Sequence, residues 1–525
     1  MISLFSPSPC GGIKTVNMTR TSYFAIVVSG LLAVAGAFFT GPSSQLLAQS
    51  VHPDNRFAEG ELVNQKADGY RGIWYYNQKI DNEYVYKYSG GLGTYPAKHK
   101  PFAVYRPEVN KTFFCYGGTD STNSTLLHMV SYFDHETGKV PKPTLLLNKH
   151  TTDAHDNPVI LLDSTGYIYI FSTSHGTSRP SYISRSKQPY NIDAFELLDV
   201  TKLENGQPVP MTNFSYMQTW SLPGQGFINF FTKYNFPADR TLCFMTSENG
   251  TEWSEWQRLA AIKKGHYQIS ATNGKVAGSA FNFHPDTQEK NGLNYRTNLY
   301  YVETRDFGKS WQTVDGKALQ LPLTEIENPA LVHDYYAEDL NVYLKDIRYD
   351  ERGNPVILYL TSKGYEAGPA NDPRTWKVAH WNGRKWMIHD ITTSDNNYDM
   401  GSLYLEEDGT WKIIAPTETG TQPYNPGGEV AMWTSSNKGK SWKLAKQLTS
   451  GSIRNHTYVR RPVDAHPDFY AFWADGHGRE PSKSVLYFAN RAGEVFVLPE
   501  KMDREMMKPA LLSSTSGKKK SNDTQ

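Results

Sequence analysis

One pattern recurs along the chain at a nearly fixed interval: two short apolar, strand-like runs joined by a polar turn. Turn centres fall near residues 109, 164, 224, 273, 352, 408 and 466. The runs are Phe102–Tyr105 with Thr112–Tyr116, Pro158–Leu162 with Tyr167–Phe171, Phe214–Trp220 with Phe227–Tyr234, and Tyr267–Ala271 with Val276–Phe283. Val342–Tyr349 with Pro355–Leu360, Ser402–Leu405 with Trp411–Ala415, and Thr457–Val463 with Phe469–Trp473 complete the series. A lone hairpin cannot bury both faces, so such copies must stack on one another. Spacings of about 50–60 residues, and one near 80 where Leu321–Asp339 is inserted, suit a four-stranded propeller blade with loops. The pattern predicts an all-β fold, a seven-bladed β-propeller over residues 65–500, with each hairpin as the inner strand pair of a blade.

Most units add two further strands, and the turns joining these carry a second signal. Ser247-Glu-Asn249-Gly250-Thr-Glu-Trp253, Thr304-Arg-Asp306-Phe-Gly308-Lys-Ser310-Trp311 and Ser435-Ser-Asn437-Lys-Gly439-Lys-Ser441-Trp442 resemble the Asp-box (BNR) turn of sialidase-type propellers. In such a turn Asp or Asn closes a local hydrogen-bonded loop, Gly takes a positive φ and Trp packs between strands. The motif folds the chain and carries no chemistry. Sialidase activity is rejected, because it needs an Arg triad introduced by Arg-Ile-Pro, and the nearest match is Tyr70-Arg71-Gly72-Ile73-Trp74.

The 525 residues carry a formal net charge of +1, which excludes the basic bias expected of a nucleic-acid binder. Aromatics make up 13%, which suits both short strands and sugar stacking. Met18-Thr-Arg20-Thr leads into the apolar run Tyr23–Phe39 and then small residues to Ala48, so residues 1–48 read as a signal peptide of a secreted or periplasmic protein. The run is also long enough for an uncleaved anchor, and after signal removal no membrane association is expected. Once Cys10 leaves with the leader, Cys115 and Cys243 remain on separate strand-like segments, read as free buried thiols. No Cys-based metal site can be built from them. Gly90-Gly-Leu-Gly93 has no helix after it and is not a dinucleotide fingerprint, so no cofactor and no metal is expected. Residues 513–525 read as a disordered polar tail.

In a propeller the inner strands all start on one face, where ligand sites gather. The residues at those starts are His99, His155, Tyr216, His266 with Tyr267, Asp339, Tyr398 with Asp399, and Arg454-Asn455-His456. Second strands return to the same face at Asp120, His175, Lys233, His284 and Glu418. Folding Pro158–Phe171 about Ser164 and Thr165 pairs residues whose numbers sum to 329, which brings His155 beside Ser174 and His175. The two histidines are open to three readings: an acid–base pair, half a metal site, or hydrogen-bonded rim residues. Folding the third hairpin near Gly224, with paired numbers summing to 449, sets Lys233 across from Tyr216. Tyr216 with Lys233 also reads as an ordinary cross-strand pair, His284 as a strand end, and Arg460 with Arg461 as two side chains facing opposite ways.

The frame Ala154-His155-Asp-Asn157-Pro, Gly166-Tyr-Ile, Ser174-His175-Gly176, Ser215-Tyr216, Gly265-His-Tyr267 and Asn298-Leu-Tyr300 resembles the BNR-4 propeller family over about residues 65–500. That family includes ulvan lyases, a branch of α-L-rhamnosidases and many members of unknown activity. The resemblance implies a polysaccharide lyase that cleaves a uronate-containing polymer by β-elimination. Such chemistry needs a neutraliser for the uronate carboxylate, a base at C5 and an acid at the departing O4. In the propeller lyases paired histidines, a tyrosine in the next blade and an arginine beyond it form the working set. Carried over, these are His155, His175 and Tyr216, with Lys233 in place of the arginine or Arg240 taking its role.

Lysine offers a point charge where arginine offers a planar fork, so that exchange is not neutral. The cysteine-containing zinc site of the lyases also lacks its ligands, since His284-Pro-Asp286 leads to Asn291-Gly292 without a nearby Cys. His266, Tyr267, Arg240, His99 and His456 are the candidate substrate-binding residues, the last two serving a rhamnosidase as well as a lyase. The expected partner is an acidic polysaccharide or oligosaccharide bound by a monomer. A glycoside hydrolase and a non-catalytic glycan-binding propeller are the alternatives.

Overall fold

A computed structural model describes residues 61–512 apart from 94–97, 124, 177–178, 212–213, 235–237 and 291. Contacts divide the chain into a unit ending at Asp54 and a unit Asn55–Gln525, and everything below concerns the second. The proposed leader and the 513–525 tail lie outside the described residues. Among those described, strands alternate with loops and three single-turn helices, Pro107–Val109, Ala154–Asp156 and Pro369–Asn371. No helix there is long and apolar enough to cross a membrane.

The chain is an all-β propeller. Each hairpin anticipated from the sequence is an edge pair of a four- or five-stranded antiparallel sheet, from Ala103–Arg106 with Lys111–Gly118 to Asn455–Arg460 with Ala471–Gly476. Pro158–Leu162 and Ile168–Ser172 are buried at every residue, which explains why they read as unbroken apolar runs. Trp376, Trp411 and Trp473 are fully buried among the sheets, each a site where truncation to Ala would cost about 3–5 kcal/mol.

The blade count needs correction. Among the described residues, eight sheets have three or more strands where the sequence reading gives seven. The additional one pairs Thr201–Glu204 with Gln207–Pro210 and takes Glu252–Trp253 in parallel. Its hairpin has no fully buried residue, so a search for apolar runs passes over it. Its turn is nonetheless written in the chain, as Asn205-Gly206 with φ of 51° and 73°.

At the N-terminal side Gly72 bridges both Ser484, next to the last sheet, and Gly118 of the first. A side chain at Gly72 would meet Ser484 Oγ at 2.9 Å and its carbonyl oxygen at 3.3 Å, so a larger residue there would push Ser484 aside.

The Asp boxes fold as local hydrogen-bonded turns. Asp306 Oδ1 accepts from Ser310 N at 2.9 Å, Asn437 Oδ1 from Ser441 N at 3.0 Å, and Gly308 and Gly439 take φ of 85° and 80°. They lie with the hairpin turns: Asn249 and Phe307 line one depression with Ser164 and Gly224. That is the end of the hairpins away from His155. Cys115 and Cys243 are free and buried.

Candidate active site

The second hairpin turns one residue later than expected. Ile168 faces Leu162 and Tyr169 faces Leu161, a sum of 330, because Asp163–Tyr167 forms a five-residue turn stapled by Asp163 Oδ1. A one-residue slip exchanges faces, so His155 and His175 come to lie opposite each other. The strands themselves stop at Pro158 and Ser172. Before Pro158 the chain makes one 3-10 turn, capped by Asp153, whose carboxylate accepts from His155 N at 3.0 Å.

The same carboxylate then holds both imidazoles. His155 Nδ1 donates to Oδ1 at 2.6 Å and His175 Nδ1 to Oδ2 at 2.7 Å, and the rings stack at 4.0 Å with 11° between planes. This pairing assigns the proton to Nδ1 in each ring and makes Nε2 the basic nitrogen. Arg179 braces the carboxylate, donating to Asp153 Oδ2 at 3.2 Å and twice to Asp156 at 2.7 and 2.9 Å. Burial works to raise the Asp153 pKa, but His155 and His175 outweigh it and hold the group well below the usual carboxylate value. Burial, with repulsion from His175, lowers the His155 pKa against the pull of Asp153. One ligand atom from each of Asp153, His155 and His175 lies within 4.8 Å of the others, the spacing of a metal site. The imidazole protons aimed at the carboxylate and the Arg179 cation beside it disfavour a further cation.

The third hairpin carries the larger correction. Thr219 faces Asn229, but Ser215 faces Thr232, so Tyr216 and Met217 form a bulge with one extra residue. Tyr216 takes φ of 52°, a left-handed conformation that costs a residue of this kind about 1–3 kcal/mol. Pairs near the turn already sum to 448 and not 449, and the bulge takes the sum to 447, so the expected pairing of Tyr216 with Lys233 is lost. Lys233 instead faces Thr241 and sets its amine 5.5 Å from the Trp256 ring centre, away from Tyr216. Its neighbour Tyr234 pairs with Arg240, and these two turn toward Tyr216.

Arg240 supplies the cation. Its guanidinium carbon lies 5.9 Å from the Tyr216 ring centre, 5.2 Å from Tyr234 and 5.3 Å from Tyr267. Burial opposes its charge, yet the surrounding phenol groups of Tyr267, Tyr216 and Tyr234 raise its pKa further, so it is always protonated. The Tyr216 ring centre is 5.9 Å from His155, 6.2 Å from His175 and 5.9 Å from Tyr267. Its hydroxyl is buried without a hydrogen-bond partner among the described residues. Burial, aided by Tyr234, pushes its pKa well above 10.0 although Arg240 pulls the other way, so the group is a neutral phenol.

The structure thus brings together His155, His175, Tyr216, Arg240 and Tyr267, and leaves Lys233 outside. His266 is a structural residue: Nδ1 donates to Asn282 O at 2.6 Å and Nε2 accepts from Ile262 N at 2.8 Å. His456 is bound by Ser452 Oγ at 2.9 Å and Trp473 Nε1 at 3.0 Å. His99 is fully buried, neither ring nitrogen has a hydrogen-bond partner among the described residues, and burial together with His155 and Arg460 keeps it neutral.

Other residues join the pit that sequence reasoning gave no role. Asp153 and Arg179 clamp the histidines, Tyr234 arrives with the bulge, and His284 packs 5.1 Å from Tyr267. Arg296 lies 4.8 Å from the other side of the Tyr267 ring. Nearby, burial and the charges of Arg296 and Arg240 bring Lys87 down to about 7. Asp153 had a local signal, the Asp-Ala-His spacing of a capped turn; Arg179 and Arg296 had none.

The model of the BNR repeat-containing family member matches residues 122–394. The chain belongs to this family. It is 24% identical to an ulvan lyase of Nonlabens ulvanivorans over 363 residues, 63% of this chain and 72% of that one. An ulvan lyase of Alteromonas sp. (strain LOR) is 19% identical over 377 residues, 65% of this chain and 73% of the other. Among solved structures, a PL25 ulvan lyase superposes with a TM-score of 0.60 at 17% identity, covering 86% of this chain and 98% of that one. The polysaccharide lyase Uly1 follows with 0.57 at 11%, covering 85% and 99%. At such identities these structures speak for the propeller fold.

Proposed function

We propose that this BNR-family propeller is a polysaccharide lyase that cleaves an acidic, uronate-containing polysaccharide by β-elimination. The observation that carries this reading is the convergence on one pit of two Asp153-clamped imidazoles, the neutral phenol of Tyr216 and the guanidinium of Arg240. The curated relatives support it, since both are ulvan lyases, and one related ulvan lyase structure is bound to -[GlcA(1-4)Rha3S]-.

The reaction divides among these groups. Arg240 faces the uronate carboxylate and stabilises the charge that builds up when C5 loses its proton. Nε2 of the histidine pair takes that proton, being the lone-pair nitrogen of rings whose Nδ1–H is fixed on Asp153. The electron pair from C5–H forms the C4–C5 double bond, the C4–O4 bond breaks, and Tyr216 gives its proton to the departing O4. Its raised pKa keeps a proton in place for that step. A glycosidase would place two carboxyl groups around the scissile bond. Here the carboxylate of the pit, Asp153, has both oxygens taken by imidazoles.

Purified enzyme acting on ulvan should produce new ends with the ultraviolet absorbance of a conjugated unsaturated uronate. Reducing ends without that absorbance would mean hydrolysis, and affinity without either would mean binding alone. The reading includes export, supported by the apolar run Tyr23–Phe39 and the small residues up to Ala48. A mature N-terminus near Gln49 in the culture medium or periplasm tests it; an intact leader in the membrane fraction contradicts it.

A further inference from the structure

Far from the pit, on the face that carries the hairpin turns, the first and last sheets meet at His135, His466 and Asp468. His135 follows the strand Leu127–Asp134 of the first sheet, and its backbone N donates to Asn110 O at 3.1 Å. His466 and Asp468 belong to the turn between Asn455–Arg460 and Ala471–Gly476 of the last. Next to them Phe469 stacks on Phe114 of the first sheet at 5.5 Å. Backbone bonds already cross this seam, from Tyr105 N to Val463 O at 3.0 Å and from Val463 N to Ala103 O at 2.8 Å.

Three details of this cluster point to a ligand. The His135 side chain is 1% exposed, yet its Nδ1 has no hydrogen-bond partner among the described residues and faces Asp468 Oδ2 at 3.8 Å, beyond hydrogen-bond reach. The other nitrogen, Nε2, is bonded to Thr112 Oγ1 at 2.8 Å, an outer contact that fixes the ring and directs the Nδ1 lone pair at Asp468. His466 packs its ring 3.7 Å from that of His135, and its Nδ1 lone pair accepts from Asp468 N at 3.2 Å, a bond that an ion ligated by this nitrogen would replace. One donor atom from each of the three residues lies within 4.8 Å of the other two. Two neutral imidazoles and a carboxylate, with solvent open to the half-exposed Asp468, form the donor set of a four-coordinate zinc-type ion that keeps one water.

We propose that His135, His466 and Asp468 bind one divalent transition-metal ion of the zinc type, which clips the last sheet to the first and closes the ring. The ligands are separated by more than three hundred residues, so the ion would join ends of the propeller that the chain itself does not connect. Sequence spacing gives no hint of it, because the histidines fall in different repeats.

The test is zinc titration of the untagged, chelator-treated full chain, followed by calorimetry and thermal unfolding. One Zn2+ per chain should bind and raise Tm, and Co2+ in its place should give the visible absorption of a tetrahedral site. Asp468→Asn, at an exposed position that leaves the core intact, should weaken binding by at least about tenfold, as should His135→Ala. Thr112→Val should weaken it by about tenfold through loss of the outer contact. Asp153→Asn should leave it unchanged. Zinc affinity and Tm shift unaltered in both Asp468→Asn and His135→Ala, or no saturable binding by the unaltered chain, would overturn the proposal.

Discussion

His155 and His175 stand at equal distances along the chain on either side of Thr165, and their rings stack at 4.0 Å. Stacked imidazoles cannot both be charged at low cost, and the carboxylate of Asp153 that joins their Nδ1 atoms is what sets their state.

Asp153 is a positioning residue, and Asp153→Asn separates its orienting role from a merely structural one. Turnover should fall by about a hundredfold or more, with a much smaller change in KM. The pH profile should move as well. Asp153 raises the His155 pKa against burial, so removing its charge lowers that pKa further and shifts the acidic limb to lower pH. In the unaltered enzyme that limb should already lie below 6.5, the ordinary histidine value. A uniformly scaled profile with no shift would mean that Asp153 only holds the loop.

The two candidate cations make opposite predictions. Lys233→Ala removes an amine that sits over Trp256, and turnover should stay within about threefold of the unaltered enzyme. Arg240→Lys keeps a charge but loses the planar fork among Tyr216, Tyr234 and Tyr267, and should lower kcat/KM by about a hundredfold. The reverse ranking would restore Lys233 to the site.

Stability should depend on pH through the buried histidines. Burial lowers His128 to about 3 and His266 to about 4, and lowers His155 as well. In the unfolded chain these groups take a proton near 6.5, while the native protein does not. Below that pH the unfolded state binds more protons, so stability is complete above about 6.5 and declines as pH falls toward 4 and 3. Thermal unfolding between pH 4 and 8 should show Tm level at the upper end and dropping below pH 6.5. A Tm that rises on acidification would contradict neutral buried histidines.

The repeat, the strand pairs and the Asp boxes could all be read from the chain, because apolar runs and turn residues act locally. The pit was legible down to the identities of His155, His175, Tyr216 and Arg240. Its internal geometry was not, for two physical reasons. A five-residue turn at Asp163–Tyr167 moves the second hairpin by one residue, and in the third the turn and the bulge at Tyr216 each move the register by one more. Those shifts part Tyr216 from Lys233 and leave Tyr234 beside it. The outlying hairpin at Asn205-Gly206 was missed because exposed strands lack the apolar pattern that betrays buried ones.

In the proposed β-elimination Tyr216 is the proton donor. Tyr216→Phe keeps the ring that packs against Tyr234 and Tyr267 and removes only the hydroxyl. The decisive measurement is the rate at which unsaturated uronate absorbance appears when ulvan is incubated with the unaltered enzyme and with this variant. A clear rate is expected for the first and a fall of at least about a hundredfold in the second, with substrate binding nearly intact. Equal rates in the two proteins would remove Tyr216 from the reaction, and chain cleavage by the unaltered enzyme without that absorbance would show that the enzyme is not a lyase.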